Sequence, residues 1–397
     1  MGDPFDTEEI HKSIKEALIK NDRNLAVAKI NEYFDRQKNI PLDIAITGES
    51  GAGKSTFVNA FRGIDNRDER AAPTGATETT MEITPYPHPK YPNVKFWDLP
   101  GIGTTKFPAD QYIKYVGFER FDFFIIVSCD RFRENDVRLA KEIQRMEKKF
   151  YFVRSKIDNN VRDEERTQRD FNLERTLKKI RDNSIQSLQY HGFKSPQVFL
   201  VSSFDLTLYD FPLLEQTLER ELPEHKRDAF LSAMPNISQE VIAKKKKSFK
   251  KRINFLASLS GVVASLLIPG LSMGVEVGML VGEVKHYANQ FGLDVDSLLS
   301  LASCTNIPFQ ELKDVTSSPL SATEITTELV MKEFSQCPRL LSLKVAEEGI
   351  RFIPGFGIPT AMTLSFITTQ KALNIFLDAL SDDAYKVFRR ALGHKLK

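Results

Sequence analysis

The segment Gly48-Glu49-Ser50-Gly51-Ala52-Gly53-Lys54-Ser55 constrains this chain more than any other. It fits the pattern G-x-x-x-x-G-K-[ST]. It follows an apolar β-type run, Leu42–Thr47, and opens a helical run, Thr56–Arg62. A strand that turns through glycines into a helix N-terminus makes a phosphate cradle. Backbone N–H groups converge on anionic oxygens with no Cβ in the way, and the helix end adds partial positive charge. Residues 48–56, ending at Thr56, are the expected phosphate-contacting set. Lys54 is expected to reach the β- and γ-phosphates, and Ser55 to place its hydroxyl on Mg²⁺.

The surrounding texture agrees with such a loop. Short β-rich runs at Met81–Tyr86, Val94–Trp97, Phe123–Ser128, Phe150–Arg154 and Val198–Val201 alternate with helical stretches. Phe123–Val127 is apolar on both faces, as a central strand covered by helices on each side must be. This alternation predicts an α/β domain with a doubly wound, mostly parallel sheet. After about Tyr209 the β signals stop. Helical periodicity runs through Phe211–Leu222, Asn236–Leu267, Val275–Phe291, Asp294–Ala302, Ser321–Phe334, Pro338–Ile350, Thr360–Leu380 and Asp382–Leu392. Ile10, Ile14, Leu18 and Ile19 also recur at helical spacing, and such helices have no place inside an α/β sheet. The expected organisation is N-terminal helices over 1–39, an α/β domain over 40–212, and an all-helical domain over 213–397 on which the first helices pack.

A phosphate cradle does not choose a base; three further elements do. Asp98-Leu99-Pro100-Gly101 follows the run Val94–Trp97 as a D-x-x-G turn. There Asp98 is expected to hold Mg²⁺ through water and the Gly101 N–H to meet the γ-phosphate. Ser155-Lys156-Ile157-Asp158 follows another strand and departs from [NT]-K-x-D only at Ser155. A carboxylate at Asp158 can accept from guanine N1–H and its 2-amino group. Adenine offers neither donor there, so a buried unpaired carboxylate rejects it. The Lys156 stem is expected along the base face. Val201-Ser202-Ser203 fits a loop whose amides meet the base oxygen. GTP and GDP with Mg²⁺ are therefore the expected ligands.

Between the cradle and Asp98 lies a threonine-rich segment, 72–81, in which Thr74 and Thr80 are the candidates for Mg²⁺ and for covering the γ-phosphate. Many small GTPases orient the attacking water with a glutamine just after D-x-x-G. Here Ile102 stands in that place and cannot do so. Glu78 is the nearest acid/base, and slow hydrolysis without a partner is the expectation.

The segments GESGAGKST, APTGATETTMEITPYPHP, FWDLPGIGTTKFP, FDFFIIVS, KKFYFVRSKID, FLVSSFDLTLYDFPLLEQTLERELPEHKR and FGLDVDSLLSLA resemble the immunity-related GTPases, specifically the subgroup with lysine in the P-loop, here Lys54. The likeness covers most of the chain and is strongest to about residue 230. It implies a Ras-like domain flanked by a helical domain built from both chain ends. It also implies GTP-dependent homo-oligomers that stimulate hydrolysis, and action at intracellular membranes in cell-autonomous defence. The family's switch glutamate falls on Glu78 and its switch threonines on Thr74 and Thr80. The rival reading is a slow-hydrolysing regulatory switch with a non-immune role.

Composition narrows the partners. Lys+Arg 55 against Asp+Glu 53 is too balanced for a general nucleic-acid binder. Asp3, Asp6 and Glu8 and the lack of an apolar core near the start argue against a secretory signal, so a cytoplasmic chain is expected. Lys244–Arg252 is basic except at Ser248 and Phe249. The uncharged stretches Ile253–Val275 and Phe352–Gln370, each with an I-P-G interruption, read either as buried hairpins or as a membrane-seeking surface beside a lipid-attracting basic run.

Overall fold

The computed structural model describes residues 40–75, 82–100, 115–130, 132–236, 238–264, 271–305, 307–337 and 357–395, with Tyr112 and isolated positions between 12 and 32. Side chains at 224–225, 258–276, 279, 304, 357–366 and 392–395 are outside that description. The chain divides into two compact units, one of residues 38–237 and one of 1–37 with 238–397. The first is α/β and the second all-helical.

In the α/β unit, β1 (Leu42–Thr47) leads through the glycine loop into α1 (Lys54–Phe61). Then come β2 (Thr84–Pro87), β3 (Val94–Asp98), β4 (Phe123–Ser128), α2 (Glu134–Arg145) and β5 (Lys149–Arg154). The unit continues with α3 (Ile157–Thr167), α4 (Leu173–Tyr190), β6 (Val198–Leu200), α5 (Phe211–Glu221) and α6 (Glu224–Ala233). The sheet order is β2-β3-β1-β4-β5-β6, parallel throughout except at the β2 edge. All six residues of β4 are buried, as a strand covered on both faces requires. β2 begins three residues later than its sequence pattern suggests. Pro85 and Pro87 lack the N–H that an interior strand needs, and an antiparallel edge tolerates them.

The sheet unit reaches Ile237, whereas the sequence reading drew the boundary after 212. The reason lies in α5 and α6. Phe211, Leu214, Leu218 and Phe230 are buried, Phe211 stacks edge-on with Phe57 of α1, and Lys226 pairs with Asp122 at the foot of β4.

The helical unit comprises α7 (Gln239–Ala264), α8 (Leu271–Gln290), α9 (Val295–Thr305), α10 (Phe309–Asp314), α11 (Thr327–Gln336) and α12 (Gly357–Lys395). α7 and α12 run antiparallel. Lys246 meets Asp378 at 2.8 Å, the Asn254 side chain accepts from Gln370 at 2.9 Å, and the Tyr385 hydroxyl donates to the Gln239 carbonyl at 3.3 Å. Ala17 is buried in this unit's core with Ile242, Phe249 and Tyr287, which ties the N-terminal segment to it. Sequence reading split α12 at Ser381-Asp382, an N-cap-like pair. The helix runs straight through. Asp383, buried within it, accepts from the Ser317 and Ser318 amides and the Ser321 hydroxyl, so the acid anchors a neighbouring loop instead of starting a helix. α11 starts later than its sequence pattern suggests, capped by Thr326, whose hydroxyl accepts from Leu329 N–H.

The basic run is largely spoken for. Lys244 pairs with Glu240, buried Lys245 donates to the Gln290 carbonyl, Lys246 pairs with Asp378, and Arg252 meets buried Glu283 at 2.6 Å. Lys247 and Lys250 are exposed. Among the described residues, no helix is long and apolar enough to cross a membrane. Ile253, Leu256 and Ala257 are core residues, while the rest of the two uncharged stretches lies mostly outside the described side chains.

Candidate functional site

The strand order turns at β1, flanked by β3 and β4, and the crevice beyond the carboxyl end of such a strand is where an α/β sheet receives a ligand. The glycine loop occupies that end. Gly48 has φ 135°, and a Cβ there would stand 2.1 Å from the Val127 carbonyl oxygen of β4. Gly53, at φ 90°, caps α1 in the left-handed conformation that favours glycine, and the Lys156 stem passes at van der Waals distance, its Cε 3.6 Å from where a Cβ would stand. Lys54 is buried and folds back to donate to the Glu49 carbonyl at 3.0 Å. Ser50 and Gly51 are exposed at the tip, and Thr56 is half-buried in the first turn of α1.

Ser55 and Asp98 meet beneath the loop, with the Ser55 hydroxyl 2.5 Å from Asp98 Oδ2 and both side chains buried. They come from separate elements: Ser55 from the start of α1, and Asp98 from the end of β3, held in register opposite Ile46 of β1. A hydroxyl and a carboxylate side by side, both hard oxygen donors, fit a small divalent cation.

The S-K-x-D segment is fastened onto the same loop. Lys156, at φ 55°, donates from Nζ to the Gly51 carbonyl at 2.8 Å. The Ser155 hydroxyl reaches the Ala52 carbonyl at 2.7 Å and the Ser128 carbonyl at 3.3 Å. Ser155, the one departure from the usual pattern, therefore acts as a tie between two loops. Asp158 opens α3 with its carboxylate partly exposed and 3.9 Å from Arg162. The Ile157 amide donates to the Val201 carbonyl, which brings the Ser202-Ser203 loop alongside. Ser202 is buried and its hydroxyl accepts from Phe204 N–H. The neck of that loop is closed by Asp210. Its carboxylate accepts from the Leu200 amide at 2.8 Å and from both terminal nitrogens of Arg181, at 2.6 and 3.0 Å.

Thr74 is described and exposed on the loop after Ala72. Glu78, Thr80, Gly101 and Ile102 lie outside the described residues.

Several contributors carry little or no sequence signal of their own. Asn59 exchanges two hydrogen bonds with the Ala72 backbone and so holds the start of the threonine-rich segment against α1. Trp97, next to Asp98, donates its indole N–H to Asp43 at 2.8 Å, with the Arg120 guanidinium 4.3 Å above the ring. Asp136 is fully buried in the first turn of α2, where an acid three residues into a helix is the visible hint. Burial, aided by the Glu49 carboxylate, pushes its carboxyl up to about 7, against the Arg133 amide, Lys54 and Arg133, which favour the charged form.

The sign of that shift makes a prediction. Between the ordinary value of 3.8 and about 7 the folded chain holds a proton that the unfolded chain has lost. Stability therefore falls as pH rises through that window, by at most about 1.4 kcal/mol per pH unit. Asp136→Asn retains an acceptor for the Arg133 amide but cannot ionise. Its denaturation midpoint should exceed that of the parent at pH 8, with the difference largely gone at pH 4. Equal pH slopes in the two proteins would refute this.

The Interferon-inducible GTPase (IIGP) family profile matches residues 7–391. Interferon-inducible GTPase 5 of Rattus norvegicus is 39% identical over 383 residues, 96% of this chain and 82% of that protein. Interferon-gamma-inducible GTPase 10 of Mus musculus is 37% identical over 386 residues, 97% and 89% respectively. T-cell-specific guanine nucleotide triphosphate-binding protein 2 of Mus musculus is 39% identical over 367 residues, 92% and 85%. On this likeness across both units, together with the glycine cradle at the end of β1, the chain belongs to the interferon-inducible GTPase family and is a P-loop hydrolase acting on GTP.

Proposed function

We propose that the chain binds GTP with Mg²⁺ in the crevice above β1, hydrolyses it to GDP, and does so efficiently only when copies assemble on one another at an intracellular membrane in cell-autonomous defence. The observation that carries the nucleotide assignment is the double tie between the two loops, Lys156 to Gly51 and Ser155 to Ala52. It holds a candidate base-reading carboxylate, Asp158, at one spacing from the phosphate cradle.

In this reading the amides of residues 48–56 surround the phosphates, and Lys54 swings from the Glu49 carbonyl to the β- and γ-oxygens. Asp158 takes guanine N1–H and the 2-amino group, the Lys156 stem covers the base, and the amides near Ser202 and Ser203 meet the base oxygen. Ser55 and Asp98, with Thr80 or Thr74, hold Mg²⁺. When bound, the ion neutralises charge that develops on the β- and γ-oxygens. The Gly101 N–H meets the γ-phosphate. Phosphoryl transfer asks the protein mainly for positioning and electrostatic stabilisation. Glu78 is assigned to orient and deprotonate the attacking water, since Ile102 cannot.

The family name supports the defence role, and the exposed Lys247 and Lys250 support attraction to an anionic lipid surface. Ile102 also favours a second reading, a slow switch that regulates partners through its nucleotide state.

One experiment separates the two: GTP turnover per molecule against protein concentration, with light scattering in the same cuvette. Assembly-activated hydrolysis requires specific activity to rise with concentration. Glu78→Ala should then lower turnover by roughly a hundredfold or more while GTP affinity holds. Flat, near-zero turnover with intact binding overturns assembly activation in favour of the switch, and unchanged turnover in Glu78→Ala removes that residue from the mechanism.

A further inference from the structure

Tyr112 is fully buried, yet it ends in a hydroxyl. A phenolic hydroxyl inside an apolar cluster is costly unless it is bonded, and this one has two partners on two different phosphate-facing elements. It donates to the Pro100 carbonyl at 2.8 Å and lies 3.1 Å from the Thr47 hydroxyl. A carbonyl only accepts, so the single phenolic proton goes to Pro100 and the Thr47 hydroxyl must donate to the phenol oxygen. Thr47 is the residue immediately before Gly48 of the cradle. Pro100 is the residue immediately before Gly101.

The chain leaves the sheet at this point by three successive attachments. The Asp98 carboxylate meets Ser55, the Leu99 amide donates to the Ile46 carbonyl at 3.0 Å, and the Pro100 carbonyl accepts from Tyr112. Pro100 has no N–H of its own, so its carbonyl is the backbone group through which the turn can be held. The Tyr112 ring is fixed against Phe118 in the core that also contains Leu99. Burial pushes its pKa up, which keeps the donated proton in place.

We infer that Tyr112 is a positioning residue that sets the start of the D-x-x-G turn, at Pro100, against the end of β1, and that through this turn it contributes to telling GTP from GDP. A diphosphate lacks the γ-phosphoryl group that the proposed function gives to Gly101, so the latch is expected to act on the triphosphate. This rests on the assignment of Gly101 under the proposed function.

The test is the affinity ratio of a non-hydrolysable GTP analogue to GDP, with single-turnover hydrolysis and thermal midpoint measured on the same samples. Tyr112→Phe removes only the hydroxyl and keeps the ring. The ratio should fall about tenfold, the scale of one buried hydrogen bond, with GDP affinity within about twofold of the parent and turnover reduced in step. Thr47→Val should shift the ratio in the same direction by less. The double variant should be no worse than Tyr112→Phe, because both bonds pass through one hydroxyl. A merely structural role would lower the midpoint and weaken both nucleotides alike, and that result overturns the proposal, as does an unchanged ratio. Gly101→Pro, which removes the N–H itself, is the reference. If it leaves the ratio intact, the Gly101 assignment falls. If it lowers the ratio and Tyr112→Phe does not, only the latch falls.

Discussion

Asp158→Asn is expected to weaken GTP binding by at least about a thousandfold and to make xanthosine triphosphate the better ligand. Guanine presents two donors, N1–H and the 2-amino group, to the two oxygens of a carboxylate. An asparagine replaces one acceptor with an NH₂ group that then faces the 2-amino group, donor against donor. A site built for hydrogen bonds rejects a mismatched partner by about four orders of magnitude, because buried polar groups are left unpaired. Xanthine carries an oxygen at C2, which accepts from the asparagine NH₂, so the complementarity is restored. Asp158 begins α3 and its carboxylate also contacts Arg162, at 3.9 Å. Loss of charge at a helix start costs about 0.3–1 kcal/mol, far less than the predicted effect. Competition between the two triphosphates for the parent and variant proteins measures it directly. GTP affinity within tenfold of the parent would remove Asp158 from base recognition.

Gly48→Ala should be nearly as severe, for a steric reason. Its Cβ would stand 2.1 Å from the Val127 carbonyl oxygen, and Val127 lies within β4 opposite Val153 of β5. Neither backbone can yield without prising the loop from the sheet. Overpacking and a left-handed φ together suggest about 2–5 kcal/mol of lost stability, with nucleotide binding lost as the cradle shifts. Gly51→Ala provides the comparison. Gly51 also has a positive φ, 79°, but nothing lies within 4 Å of a Cβ there. It should lose only about 1–2 kcal/mol. Urea denaturation of the two variants, with nucleotide binding measured alongside, tests the difference, and equal losses would rule out the β4 clash as the cause.

The cradle was legible in the sequence because its parts are contiguous and each glycine has a backbone reason. The buried strand Phe123–Val127 was legible for a similar reason: an unbroken apolar run has few other uses. What could not be read depends on groups far apart in the chain. Tyr112 is one aromatic among many until its hydroxyl is seen between Thr47 and Pro100. Asp210 looks like an ordinary loop acid until Arg181 and the Leu200 amide converge on it. Ser155 reads only as a departure from a motif, whereas its hydroxyl finds two carbonyls on neighbouring loops. Lys244–Arg252 reads as a lipid-attracting basic run, yet Lys245 and Arg252 are committed to Gln290 and Glu283. Local rules misled at Ser381-Asp382, where a cap-like pair sits inside a continuous helix because Asp383 serves a distant loop. The expected β2 start was too early, and the prolines at 85 and 87 are accommodated only because the strand is an antiparallel edge.

Trp97 gives the molecule an optical channel of its own. It is the one tryptophan in the sequence, so all indole emission comes from the residue preceding Asp98. Its ring is covered by the Arg120 guanidinium and its N–H is committed to Asp43. A cation over the ring and a carboxylate at its edge both tune that emission. Loading of the crevice, and any movement of the turn that begins at Asp98, can thus be followed in real time on the unlabelled protein.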